Sequence, residues 1–185
     1  MKCIRCGGTL GPPEQMTVPF RSLPGVMLAG IEGQRCPTCG DIEYEIPRIE
    51  ELIRALTDSI IRKETGLTSH EVRFLRKALG WSGVDLAKRL GVASETVSRW
   101  ESGAASINTT ADRLLRMFVA HERPVEDYGL EHMVLVRGKE AMPFSCVIEL
   151  MEHDWVFSPP ASQAGTVLPA MIAAKKVEGL RGARR

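Results

Sequence analysis

Long apolar runs are missing from this 185-residue chain. No run approaches the ~20 residues that a membrane-crossing helix needs, so no membrane association is expected. No hydrophobic signal segment opens it, and a cysteine already stands at position 3; a cytoplasmic protein is the expectation. Charge of either sign is not in excess: 24 Lys and Arg against 23 Asp and Glu leave +1. That excludes a surface basic all over, but not a local basic face able to meet nucleic acid. P-loop, nucleophile-elbow and HExxH spacings are absent. His70, His121, His132 and His153 are scattered, without metal or catalytic spacing. Enzymatic catalysis therefore has no residues to rest on, and none is expected.

What is present is ordinary in bulk and specific in detail. With 44% apolar and 25% charged residues, the chain fits one or two globular domains. Four stretches differ in character. Residues 1–46 are rich in Cys, Gly and Pro and show no helical periodicity. Over 47–66, Ile49, Leu52, Ile53, Leu56, Ile60 and Ile61 recur at helical spacing, predicting an amphipathic helix begun by Pro47 and stopped near Gly66. Residues 67–121 read as short helices between glycine-marked turns, with a capping box of Thr68 and Glu71. Residues 122–185 form an extension. His132–Arg137, Phe144–Leu150 and Trp155–Phe157 suggest strands there, and the Ala/Gly/Ser-rich tail after Pro159-Pro160 is expected to be flexible without a partner.

Residues 83–102, GVDLAKRLGVASETVSRWES, satisfy the demands of a helix-turn-helix together. Ala87 is small where the two helices cross. Gly91 can take the left-handed backbone of the sharp turn. Leu86, Leu90, Val92, Val97 and Trp100 fill the inter-helix core positions. The second helix is expected to start at Ser94, with its hydroxyl as cap. Val97 and Trp100 turned inward leave Ser94, Glu95, Ser98 and Arg99 outward, with Thr96 at the edge.

Docked by this helix in the major groove, Arg99 suits the bidentate contact to guanine. Glu95 can accept from a cytosine amine, or exclude wrong sequences by repulsion. The alternative for Arg99 is a solvated ion pair with Glu95, four residues before it. Candidate phosphate contacts are Arg73, Arg76, Lys77, Lys88, Arg89, Arg113 and Arg116, together with backbone amides at Ser82 and Gly83. With Arg99 these make eight basic residues over 67–121 against five acidic ones, a local net charge of +3.

Cys3-x-x-Cys6 and Cys36-x-x-Cys39, each followed by glycine, are two metal knuckles. Together they complete a closed Cys₄ shell of the structural-zinc type, with one Zn²⁺ expected per chain. Twenty-nine residues separate Cys6 from Cys36, room for a hairpin near Gln15–Phe20 and Val26–Gln34. So few large apolar residues occur in 1–45 that a metal is the plausible source of stability. Disulfides would need an oxidising compartment. A rubredoxin-like iron site would use the same four ligands, and metal analysis separates the two. Cys146, alone in an apolar run, reads as a small buried residue.

The opening Met-Lys-Cys-x-x-Cys, Pro19-Phe20-Arg21 before an apolar strand, the second knuckle and Ser98-Arg99-Trp100-Glu101-x-Gly103 occur in that order. This combination, from Met1 to about Val119, resembles the MqsA antitoxin family, a YgiT-type zinc finger followed by a repressor-like domain.

The resemblance implies a mostly α chain with a small β zinc-binding module. Its parts would be a Cys₄ ribbon-like domain, a linking helix, a lambda-repressor-like helix-turn-helix domain and the C-terminal extension. It also implies a toxin partner, typically an mRNA-cleaving ribonuclease, held by the zinc domain. A homodimer would repress its own operon at a palindromic operator on double-stranded DNA. Cys3, Cys6, Cys36 and Cys39 fall on the family's zinc ligands, and Arg99 on its base-reading arginine. Glu95 stands where the family reads a base with asparagine, so a different operator is implied.

Residues 122–185 have no counterpart in the resemblance. A stand-alone regulator, with that extension sensing a ligand or mediating assembly, is the second reading. For the dimer surface, segment 107–121 and the strands of 122–150 are both candidates. Either can instead complete the monomer core.

Overall fold

The computed structural model describes residues 1–122, 128–129, 132, 141–151 and 154–158. Apart from His132 itself, the strand expected over His132–Arg137 lies outside them, as does the tail after Ser158.

A hairpin occupies the space between the two knuckles. β1 (Pro13–Pro19) runs antiparallel to β2 (Val26–Arg35), near both segments expected to form it. Val18, Val26, Leu28 and Ile31 are buried on one face, and the prolines of β1 sit on an edge strand, where a missing N–H costs no ladder bond. β3 (Ile42–Tyr44) pairs with the far end of β2.

α1 (Ile49–Ile61) follows, burying Leu52, Leu56, Ile60 and Ile61 at its periodic positions. Its start differs from expectation. Arg48, not Pro47, borders the helix, in a left-handed conformation with φ 51°. Its end differs too, since no glycine terminates the helix at Ile61. The guanidinium of Arg116 donates instead to the carbonyls of Ile61, at 3.0 Å, and Lys63. Carbonyls at a helix C-terminus have no intrahelical donor, and the Tyr128 hydroxyl also donates to that of Ile61, at 3.2 Å.

Four more helices follow among the described residues: α2 (Ser69–Ala78), α3 (Gly83–Leu90), α4 (Ser94–Ser102) and α5 (Thr109–Glu122). The Thr68–Glu71 capping box is formed at α2, and Ser82 with Asp85 forms a second one at α3. Gly91, at φ 66°, makes the left-handed turn between α3 and α4. Ser94 caps nothing: the extended residue before α4 is Ala93, so Ser94 is already its first helical residue.

The strands β4 (Cys146–Met151) and β5 (Asp154–Ser158) are not a separate layer. β4 lies parallel to β2, with Ile148 opposite Leu28, and β5 returns antiparallel to it. The sheet order is β1-β2-β4-β5, with β3 beside the other end of β2. Gly30 sits between these two sets of β2 partners with φ 72°, and a Cβ there would stand 2.9 Å from the carbonyl oxygen of Leu150.

One apolar core runs from the sheet through α1 into the helical half. Phe20 meets Phe74 of α2 edge-on, with ring centres 6.2 Å apart. Leu115 and Val119 of α5, and Cys146 and Ile148 of β4, are buried in it. Both segments considered for a dimer surface therefore contribute to the monomer core.

Two buried polar knots tie the parts together. Arg116, fully buried, donates to Asp112 at 2.6 Å and to the Thr65 carbonyl at 2.8 Å, while Asp112 accepts from the Leu67 amide. Glu71, also buried, accepts from Lys63 at 2.6 Å and from the amides of Thr68 and Phe144 at 2.7 Å. Lys63 donates further to the Met142 carbonyl. The capping glutamate of α2 thus anchors the segment that leads into β4.

Candidate metal centre and nucleic-acid interface

The two knuckles have the same backbone. Gly7 and Gly40, each at φ 73°, follow the second cysteine of each pair. Their amides donate to the carbonyls of Cys3 and Cys36 at 2.8 and 2.9 Å. Cys3 in turn donates its amide to the Gly8 carbonyl, and Cys36 to that of Asp41. Such turns aim both sulfurs of a pair to one side, and a side chain at Gly7 or Gly40 would be strained in the left-handed region.

The turns face each other. Cys3 Sγ lies 3.7 Å from Cys39 Sγ and Cys6 Sγ lies 3.5 Å from Cys36 Sγ, and all four sulfurs fall within 4.8 Å of one another. A regular tetrahedron with metal–sulfur bonds of about 2.3 Å has sulfurs about 3.8 Å apart. The cluster matches that edge and forms a group able to hold a metal ion. Cys3, Cys36 and Leu10 make a small core of their own. The backbone N–H of Cys39, helped by that of Thr38, holds the Cys36 thiol down to about 6, against the opposing effect of burial. A thiolate is the ligand a metal needs. Cys146 is buried away from this cluster, and burial pushes its thiol up to about 12, so it stays an inert thiol.

The helix-turn-helix is built as its sequence spacing requires. Leu86, Ala87, Val97 and Trp100 are buried between α3, α4 and their neighbours. α4 is fixed to α2 by a forked pair: Arg76 donates to both carboxylate oxygens of Glu101, at 2.5 and 2.9 Å, and Arg73 donates to the Glu101 carbonyl. With Val97 and Trp100 inward, Ser94, Glu95, Ser98 and Arg99 are exposed and Thr96 is half-buried. Among the described residues neither Arg99 nor Glu95 meets an opposite charge within ion-pair distance. The i, i+4 pair weighed as an alternative for Arg99 is not formed.

The phosphate-contact candidates divide. Lys77 and Lys88 are exposed. Arg116 is removed from the set, because it is fully buried on Asp112 and on carbonyls near the end of α1. Arg76 is committed to Glu101 and to the Trp81 carbonyl. Arg89 stacks 4.1 Å over the Trp81 ring. At Ser82 both the amide and the hydroxyl are engaged with Asp85, so an amide contact from Ser82 would require opening the capping box. Sequence reasoning took these cations at face value, since nothing local marks which arginine is buried. The Ser82–Asp85 spacing was a readable signal that the expectation passed over.

Residues 72–125 match a family described as helix-turn-helix. No curated protein and no solved structure matches the chain. The matched residues are of the helix-turn-helix class of DNA-binding transcription regulators, and the chain joins them to a four-cysteine site able to hold a metal. No described helix is long and apolar enough to cross a membrane.

Proposed function

We propose that this protein is a sequence-specific transcriptional repressor, the antitoxin of a type II toxin–antitoxin pair. It holds a ribonuclease toxin by its N-terminal module and represses its own operon through the helix-turn-helix. The observation that carries the DNA-binding part is the exposed, unpaired Arg99 on a helix whose opposite face is locked into the core. The antitoxin part rests on the sequence resemblance, with a Cys₄ module, a linking helix and a helix-turn-helix in that order. Zinc is the ion assigned to Cys3, Cys6, Cys36 and Cys39, because an all-thiolate tetrahedral shell suits it and leaves no open position. Its role there is structural, and no catalytic role is assigned to the chain.

A palindromic operator calls for two recognition helices one DNA turn apart, so the acting form is a homodimer. Val84 of α3 and Met117 of α5 remain exposed, and these apolar side chains are assigned to the contact with the second copy. Co-expression of the full chain with the product of the adjacent reading frame tests the antitoxin reading: a stable complex that silences the toxin supports it. With no complex, the stand-alone regulator replaces it. That second reading is favoured by one observation, the placement of β4 and β5 in the sheet of the N-terminal module, in a region where the antitoxin resemblance has no counterpart.

A further inference from the structure

The exposed face of α4 presents one acid and one base a helical turn apart, Glu95 and Arg99, and neither has an ion-pair partner among the described residues. The other carboxylates of residues 67–121 are spoken for: Glu101 by Arg76 and Arg73, Asp85 by Ser82, Glu71 by Lys63 and Asp112 by Arg116. Glu95 and Arg99 stand in the order that favours a Glu-to-Arg i, i+4 pair, yet neither takes the other. A bare carboxylate carried toward two phosphate backbones is repelled unless it meets a hydrogen-bond donor. The major-groove edges offer few. Guanine presents only acceptors, and thymine an acceptor and a methyl group. Adenine presents a donor flanked by the acceptor N7, and cytosine presents a donor alone. Of the four bases, only cytosine offers a carboxylate a donor with no acceptor beside it on the same base.

We propose that Glu95 is a specificity-determining residue that selects cytosine close to the guanine read by Arg99. The inference rests on the DNA-reading proposed above and adds the base it demands. Four residues of helix advance about 6 Å, and successive base pairs are about 3.4 Å apart. The two side chains therefore address pairs one or two steps apart. Ser94 and Ser98, exposed beside them, have hydroxyls that can donate or accept and so tolerate several bases. The half-site is thus marked by a guanine and a cytosine at a fixed separation of one or two base pairs.

The test is selection of binding sites from a randomised duplex library by the full chain and by its Glu95→Gln, Glu95→Ala and Arg99→Ala variants. All three substitutions fall on exposed positions. The wild-type chain should enrich a guanine column and a cytosine column, preferring cytosine over adenine about tenfold. Glu95→Gln should turn the cytosine column to adenine, which an amide reads through N6 and N7, and leave the guanine column in place. Glu95→Ala should lose the column while binding random duplex more tightly at low salt. Arg99→Ala should lose the guanine column. Identical selected sites for wild type, Glu95→Gln and Glu95→Ala, with the guanine column intact, would overturn the role of Glu95 and spare that of Arg99. Failure of the wild-type chain to enrich any sequence would overturn both.

Discussion

Replacing Arg116 with methionine tests whether the fold depends on its buried cation. The side chain is fully buried and donates to Asp112, to the carbonyls of Ile61 and Thr65, and to that of Lys63. Methionine fills comparable space and donates nothing. Asp112 keeps one partner, the Leu67 amide, and the Ile61 carbonyl keeps the Tyr128 hydroxyl, while the carbonyls of Lys63 and Thr65 lose this donor. Removing one member of a buried pair costs about 3–5 kcal/mol, a large share of the ~5–15 kcal/mol that holds a typical domain together.

At roughly 2–4 °C per kcal/mol for a chain of this size, the melting midpoint should fall by about 10 °C. Arg116→Lys should recover little of this. One ammonium cannot span a carboxylate and carbonyls on several sides as a planar fork does. Thermal and guanidinium unfolding followed by circular dichroism on the full chain measures both. A loss under ~1 kcal/mol for Arg116→Met, or wild-type behaviour of Arg116→Lys, would refute the account of this knot.

Other outcomes follow from the same contacts. Elemental analysis should find one zinc per chain, and none after Cys36→Ser. Because protons compete for the thiolates, bound metal should be lost on acidification; undiminished metal at pH 3 would contradict thiolate ligation. Arg99→Ala should abolish operator binding in a gel shift without moving the melting midpoint, and unchanged affinity would remove Arg99 as the base reader. Gly30→Ala should cost more than ~1 kcal/mol, since the residue is left-handed and a Cβ would press on the Leu150 carbonyl. Gly83→Ala, with nothing within 4 Å of the added carbon, should leave stability unchanged or slightly raised; equal losses at both positions would undo that contrast. Glu71→Gln should weaken the bond to Lys63 and speed amide exchange at Phe144 relative to the centre of α1, and unchanged protection there would show that the carboxylate does not hold this segment.

The amino-acid order by itself determined the parts whose signals are local. Glycine after each CxxC, the spacing of Ala87, Gly91, Val97 and Trp100, the apolar period of α1 and the Thr68–Glu71 box each act within a few residues. Each could be read without knowing what lay opposite. The exposed face of α4 came with them, because burying Val97 and Trp100 leaves Glu95 and Arg99 outside on any helix.

Tertiary structure alone decided what depends on distant chain. The segment 146–151 carries a strand pattern, but only the free side of β2, over a hundred residues earlier, made it the parallel neighbour of Leu28. Arg116 resembles the exposed basic residues of its stretch in every local respect. It is buried because the carbonyls ending α1 and the Asp112 carboxylate converge on it. The cap of α4 moved one residue because the turn left by Gly91 placed Ala93, not Ser94, in the extended position. Short-range periodicity specifies which elements form. Which charge can leave water, and which strand finds an open edge, depends on partners supplied from elsewhere in the fold.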